Sequence, residues 1–187
     1  MTHQHFQARQ ADSCADWLRI FFLYRRSFPR SERKPLSAIR GMQKKGKTDV
    51  WMFFRGGRFA GFATTINSER LILLDYLAVS PALRGHGVGS MALAQVRGAY
   101  PGRGIFVEVE SIYTGEADLA DQIRRRQFYL KNGMEPLHVL ARVFGVEMEL
   151  LGWDCQMDFD SYRGFYHDHN SPWAARHIEN VEFPADI

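Results

Sequence analysis

The chain has 187 residues, 45% hydrophobic and 24% charged, with a formal net charge of +3. That is the balance of an ordinary globular protein, long enough to bury about 70% of its unfolded surface without disulfide or metal staples. No run approaches ~18 consecutive apolar residues, no basic-then-apolar leader opens the chain, and the two cysteines, Cys14 and Cys155, lack ligand spacing, so a cytoplasmic protein with reduced thiols and no membrane partner is expected.

The net charge conceals an asymmetry. Residues 1–50 carry eleven Lys/Arg against four acids, and residues 147–187 carry nine acids against two arginines. The basic residues alternate with apolar ones instead of forming a like-charged block, so no nucleic acid is expected as partner. The two ends either neutralise one another or flank a site.

In chain order, "DSCADWLRIFFLYRRSF" places Trp17, Ile20, Phe21 and Tyr24 at helical spacing, with Asp12 or Ser13 as N-cap and Pro29 as the stop. A loop, "FPRSERKP", leads to a shorter helix opening at Pro35. "DVWMFFRGGRFAGFATTI" reads as a β-hairpin about Gly56-Gly57, and "SERLILLDYLAVS" adds a third strand. After a glycine cluster come a helix ("GSMALAQVRGAY"), a strand ("IFVEVE"), a helix stopped at Asn132-Gly133, and two strands in "PLHVLARVFGVEMELLGW". The aromatic, acidic tail from Asp158 has no assigned elements. This order predicts a mixed α/β fold around a mostly antiparallel sheet with flanking helices, not a repeating βαβ barrel.

The chemistry begins at the glycine cluster. Gly85, Gly87 and Gly89 follow an apolar strand and precede a helix, so the loop exposes bare backbone and the free N–H groups of a helix N-terminus, which suits a diphosphate. Walker A is excluded because no Gly-Lys-Ser/Thr follows. The dinucleotide fingerprint fits poorly: Ser90 stands at its third position, "SPALR" intervenes after the strand, and three antiparallel strands precede it.

Arg84-Gly85-His86-Gly87-Val88-Gly89 instead matches R/Q-x-x-G-x-G/A. Together with the element order over about residues 6–152, it resembles the GNAT superfamily of N-acetyltransferases. The resemblance implies the GNAT acyltransferase fold in one domain over 1–187, with 153–187 as a C-terminal extension, and acetyl-CoA as co-substrate. It places cofactor contacts at Leu77, Ala78 and Val79 on the strand and at Arg84, Gly85, His86, Gly87, Val88, Gly89 and Ser90 in the loop. Tyr129, four residues before Gly133 in "RRRQFYLKNGM", occupies the place of the family's aromatic-plus-glycine signature and so becomes the candidate general acid. Gln122 and Arg125 stand where members often carry Asn and Ala.

Period-two alternation puts Phe106, Glu108 and Glu110 on one face of "IFVEVE". Glu110, nearer the strand end, is the candidate base or ammonium anchor, with Glu108 second; the alternative is the polar outer face of an edge strand. Arg30, Glu32 and Arg33 lie where family members vary to recognise the acceptor. Phe159, Tyr162 and Tyr166 share helix-like spacing and either cover the sheet or line the acceptor pocket. His3-x-His5 and His167-x-His169 lack a carboxylate scaffold, so no metal is expected. The reading is an N-acetyltransferase acting by direct transfer on an unidentified, cationic small-molecule amine, with a homodimer possible. The alternatives are a protein N-terminal or lysine acetyltransferase and a non-catalytic acyl-CoA-binding protein.

Overall fold

The structure, a computed structural model, describes residues 5–113 and 119–184. They group into two compact units, one of residues 5–67 and 74–101 and one of residues 68–73, 102–113 and 119–184.

The first unit opens with strand β1 (Phe6–Gln10), an element the sequence reading lacked. Helix α1 (Cys14–Ser27) follows, and Ser13 rather than Asp12 is its N-cap. The cap is a reciprocal box: Ser13 Oγ accepts from the Asp16 N–H at 3.2 Å, and Asp16 accepts from the Ser13 N–H at 3.3 Å. Arg9 of β1 grips the buried Asp16 carboxylate through two bonds of 2.7 Å and holds it far below the usual carboxylate range. Helix α2 (Leu36–Lys44) begins behind Pro35. Strands β2 (Thr48–Arg55) and β3 (Arg58–Asn67) form the expected hairpin, with Gly56 and Gly57 both at positive φ. The strand order is β1-β2-β3-β4, with β4 spanning Leu71–Val79. Ile20, Leu23 and Tyr24 of α1 and Ile39 of α2 pack on Val50, Met52, Phe62, Tyr76 and Ala78 of the sheet. Helix α3 (Val88–Ala99) completes the unit.

In the second unit, Leu71–Leu73 of β4 pair in parallel with β5 (Gly104–Glu110), and the order continues β5-β7-β6-β8 through antiparallel pairs. β5 pairs with β4 only through Phe106, so Glu108 and Glu110 lie beyond that ladder and are paired on the β7 side alone. Helix α4 (Leu119–Lys131) ends as expected: Gly133, at φ +87°, donates to the Leu130 carbonyl, and Met134 donates to that of Tyr129. β6 (Glu135–Val143) and β7 (Val146–Trp153) follow as a hairpin. The unassigned tail forms α5 (Phe159–Phe165), a π-helical turn (Tyr166–Asn170), α6 (Pro172–Ala175) and β8 (Ile178–Val181). Its Tyr162 and Phe165 rings stand edge-on to Phe106 of β5 at 6.2 and 5.1 Å. Among the described residues no helix is long and apolar enough to cross a membrane.

Candidate active site

In the first unit, the end of β4 is shaped by its neighbour β3. The ladder between β2 and β3 slips between Phe53 and Phe54, leaving Ala60 as the extra residue, and the Ala60 carbonyl accepts from the Ser80 N–H at 2.8 Å. At Gly61 a Cβ would stand 2.3 Å from the Ala78 carbonyl oxygen, so only glycine lets the two backbones approach there. This fixes the stretch carrying Leu77, Ala78 and Val79.

The chain then passes through a 3-10 turn (Pro81–Leu83) into the glycine loop. Gly85 and Gly87 adopt φ of +77° and +76°, and beyond each Cα lies open space. Gly87 is the N-cap of α3, and no side chain caps the helix. The N–H groups of Val88, Gly89 and Ser90 therefore open a helix whose positive dipole end has no anion of its own. Arg84 donates from Nε to the Val79 carbonyl at 3.3 Å, and Arg55 Nη1 donates to the His86 carbonyl at 2.9 Å. His86 itself is exposed, with Nδ1 2.8 Å from the Arg84 carbonyl. Bare backbone, open space and an uncapped helix start are the features a diphosphate site needs.

The segment of Arg30, Glu32 and Arg33, which the resemblance assigns to the acceptor, is tied to β4. Tyr76 Oη donates to the Glu32 carbonyl at 2.6 Å and accepts from the Lys34 N–H at 3.2 Å, while Tyr24 Oη donates to the Lys34 carbonyl at 3.2 Å. Burial pushes both phenols above their usual pKa, so both remain donors. Of the residues singled out here, Arg30 is exposed, and Arg33 turns back to the Pro29 carbonyl at 3.3 Å. Lys34, which the sequence reading passed over, makes the ion pair, with Nζ 2.8 Å from Asp75 Oδ1.

In the second unit the two strand glutamates differ. Glu108 Oε1 accepts from Tyr162 at 2.5 Å and from Tyr166 at 2.7 Å. Burial, with the Glu108 charge beside it, holds the Tyr162 phenol well above its usual pKa. Glu110 instead meets Arg125 at 3.1 Å and keeps partial exposure. Arg125 lies one turn before Tyr129 on α4. The Tyr129 phenol is buried, which pushes its pKa up to about 12 against the opposing effect of Arg125. Gln122, two turns before Tyr129, is buried with Oε1 unpartnered among the described residues, an acceptor in search of a donor. The three neighbouring arginines are all engaged: Arg124 with Asp121, Arg125 with Glu110, and Arg126 with Glu149, the last through bonds of 2.6 and 3.0 Å. His3 lies outside the described residues, and His167 pairs with Asp168 at 2.8 Å.

The model of the acetyltransferase (GNAT) family matches residues 13–134, about two thirds of the chain, including the loop and Tyr129. The chain belongs to the GNAT acetyltransferases. Its structure is similar to that of a protein assigned to the GNAT family from Bacteroides thetaiotaomicron, at 22% identity and a TM-score of 0.71, covering 87% of this chain and 94% of that one. An aminoglycoside 6'-N-acetyltransferase complexed with coenzyme A aligns at 16% identity and a TM-score of 0.62, covering 81% of this chain and 99% of that one. The ribosomal-protein-S18-alanine N-acetyltransferase of Escherichia coli aligns at 14% and 0.61, covering 82% and 96%. At these identities the structures share the fold. No curated protein sequence matches the chain. The acetyltransferase fold thus stands on both sequence and architecture, and acetyl-CoA is the co-substrate that goes with it.

Two features escaped the sequence reading. The Lys34–Asp75 pair joins residues 41 positions apart, with no motif to mark either one. The clamp on Glu108 comes from tyrosines 54 and 58 positions away, although their helix-like spacing was the available signal.

Proposed function

We propose that this acetyltransferase, as a single domain over 1–187, moves an acetyl group from acetyl-CoA to the primary amine of a cationic small molecule by direct transfer. The observation that carries the reading is the uncapped N-terminus of α3 behind Gly85 and Gly87, both at positive φ and facing open space. Bound there, acetyl-CoA supplies an activated thioester. The N–H groups of Val88, Gly89 and Ser90 hold its diphosphate, and a backbone N–H at Ala78 or Val79 donates to the acyl oxygen. Tyr129, kept protonated by burial, gives its proton to the departing sulfur. Glu110 is the base for the amine. Glu108, already accepting two phenols, serves to fix β5 and the α5 segment.

The test is a thiol-release assay across amines. Tyr129→Phe should lower kcat roughly 10²–10⁴-fold while CoA affinity changes little. A variant with near-normal kcat would remove Tyr129 from the proton path.

A further inference from the structure

We propose that Asp75 and the Tyr76 ring form a recognition subsite for a primary alkylammonium group of the acceptor, held in this structure by the chain's own Lys34. Asp75 lies on β4, three residues before Ala78, with its side chain only 11% exposed. Its carboxylate meets the Lys34 ammonium at 2.8 Å, and the same ammonium stands 5.9 Å from the Tyr76 ring centroid. Tyr24 and Phe28 pack edge-on against that ring, each at a centroid distance of 4.9 Å. A carboxylate beside an aromatic face is the environment that selects an ammonium, through charge and the ring quadrupole together.

The occupant is weakly committed. Lys34 reaches the carboxylate on a four-carbon stem that is 30% exposed, and this is its one ion pair with Asp75. Compare Arg126, whose two bonds hold the fully buried Glu149. A lysine pair held at one point lacks the fixed fork of an arginine, and an incoming ammonium restores the charge and hydrogen bond it displaces, so the exchange never leaves the Asp75 carboxylate unpaired. The backbone of Lys34 is meanwhile fixed by Tyr24 and Tyr76, so its side chain can leave while the segment stays in place. Lys34 thus acts as a tethered stand-in: the group it mimics is a primary ammonium on a flexible alkyl stem, which a free diamine or a lysine side chain could supply.

The proposal rests on the acetyltransferase reading for the fate of the bound amine, but its test does not. Wild type, Lys34→Met and Asp75→Asn are titrated with n-butylammonium chloride, with n-butanol as the uncharged isostere, by NMR shift perturbation. Lys34→Met keeps the stem and removes the competitor, so n-butylammonium should bind it about 10-fold more tightly than wild type. Asp75→Asn should lose the preference for the ammonium over the alcohol. Putrescine and Nα-acetyl-lysine methylamide, run in parallel on Lys34→Met, distinguish a diamine source from a peptide source by which binds more tightly. Lys34→Gln serves in place of Lys34→Met if thermal melts show the latter unfolded. Equal affinity of wild type and the lysine variants, or n-butanol binding as well as the ammonium, would overturn the proposal. CoA is titrated into the same samples: its failure to bind wild type would sink the acetyltransferase reading while leaving the ammonium result to stand.

Discussion

Two helices of the first unit begin in opposite ways. The N-terminus of α1 satisfies itself: Ser13 and Asp16 cap each other, and Arg9 locks the carboxylate from β1. The N-terminus of α3 carries a glycine at its N-cap, no side-chain cap and no acid in its first turn. A helix start is a site of partial positive charge whichever residues surround it. In α1 the chain supplies the anion, so the end is structural. In α3 the chain leaves the end open behind two left-handed glycines, which on the proposed function is where the diphosphate of the co-substrate binds.

That contrast can be broken from either side. The largest effect is expected at Gly87. Its φ of +76° strains any β-branched residue, and a side chain there would project into the open space where the proposed function puts the diphosphate. Gly87→Val should weaken CoA binding by roughly 100-fold or more, with a smaller stability loss of about 1–2 kcal/mol. Calorimetry with a melting curve separates the two.

At α1 the expectation reverses. Asp16→Asn should cost about 1–3 kcal/mol of stability by loosening the cap and the Arg9 pair, and leave CoA affinity unchanged. Denaturant melts against a CoA titration check this; a weakened CoA site with intact stability would erase the distinction between the two helix ends.

The smallest effect is a pH dependence. Asp16 has a depressed pKa in the folded state, so its stabilisation is present above the unfolded value of about 3.9 and is lost as pH falls through the folded one. The stability gap between wild type and Asp16→Asn should therefore hold from neutral pH to about 5 and shrink below about 4. A gap independent of pH would mean that the Asp16 charge contributes nothing.

The legible parts of this molecule are those written locally. The Gly56-Gly57 turn, the Asn132-Gly133 stop, the Pro35 helix start and the glycine loop each need only adjacent residues, because backbone conformation and capping act over one turn. β1 and β8 were missed because each is short, at five and four residues, and is stabilised by partners remote in sequence. The candidate site divides in the same way. The backbone shape of Arg84–Ser90 was legible because it is written in adjacent glycines, whereas Lys34–Asp75 and the tyrosines on Glu108 depend on contacts that only the folded chain brings together. The alternation of Phe106, Glu108 and Glu110 was visible, but not that the two carboxylates are differently engaged, Glu108 by two phenols and Glu110 by Arg125.

The most direct measurement compares CoA with pantetheine, which lacks the diphosphate and nucleotide, on wild type and on folded Gly87→Val. If the open end of α3 holds the diphosphate, wild type should favour CoA strongly, and Gly87→Val should lose most of that preference while binding pantetheine as wild type does. An unchanged preference for CoA in the folded variant would contradict the assignment.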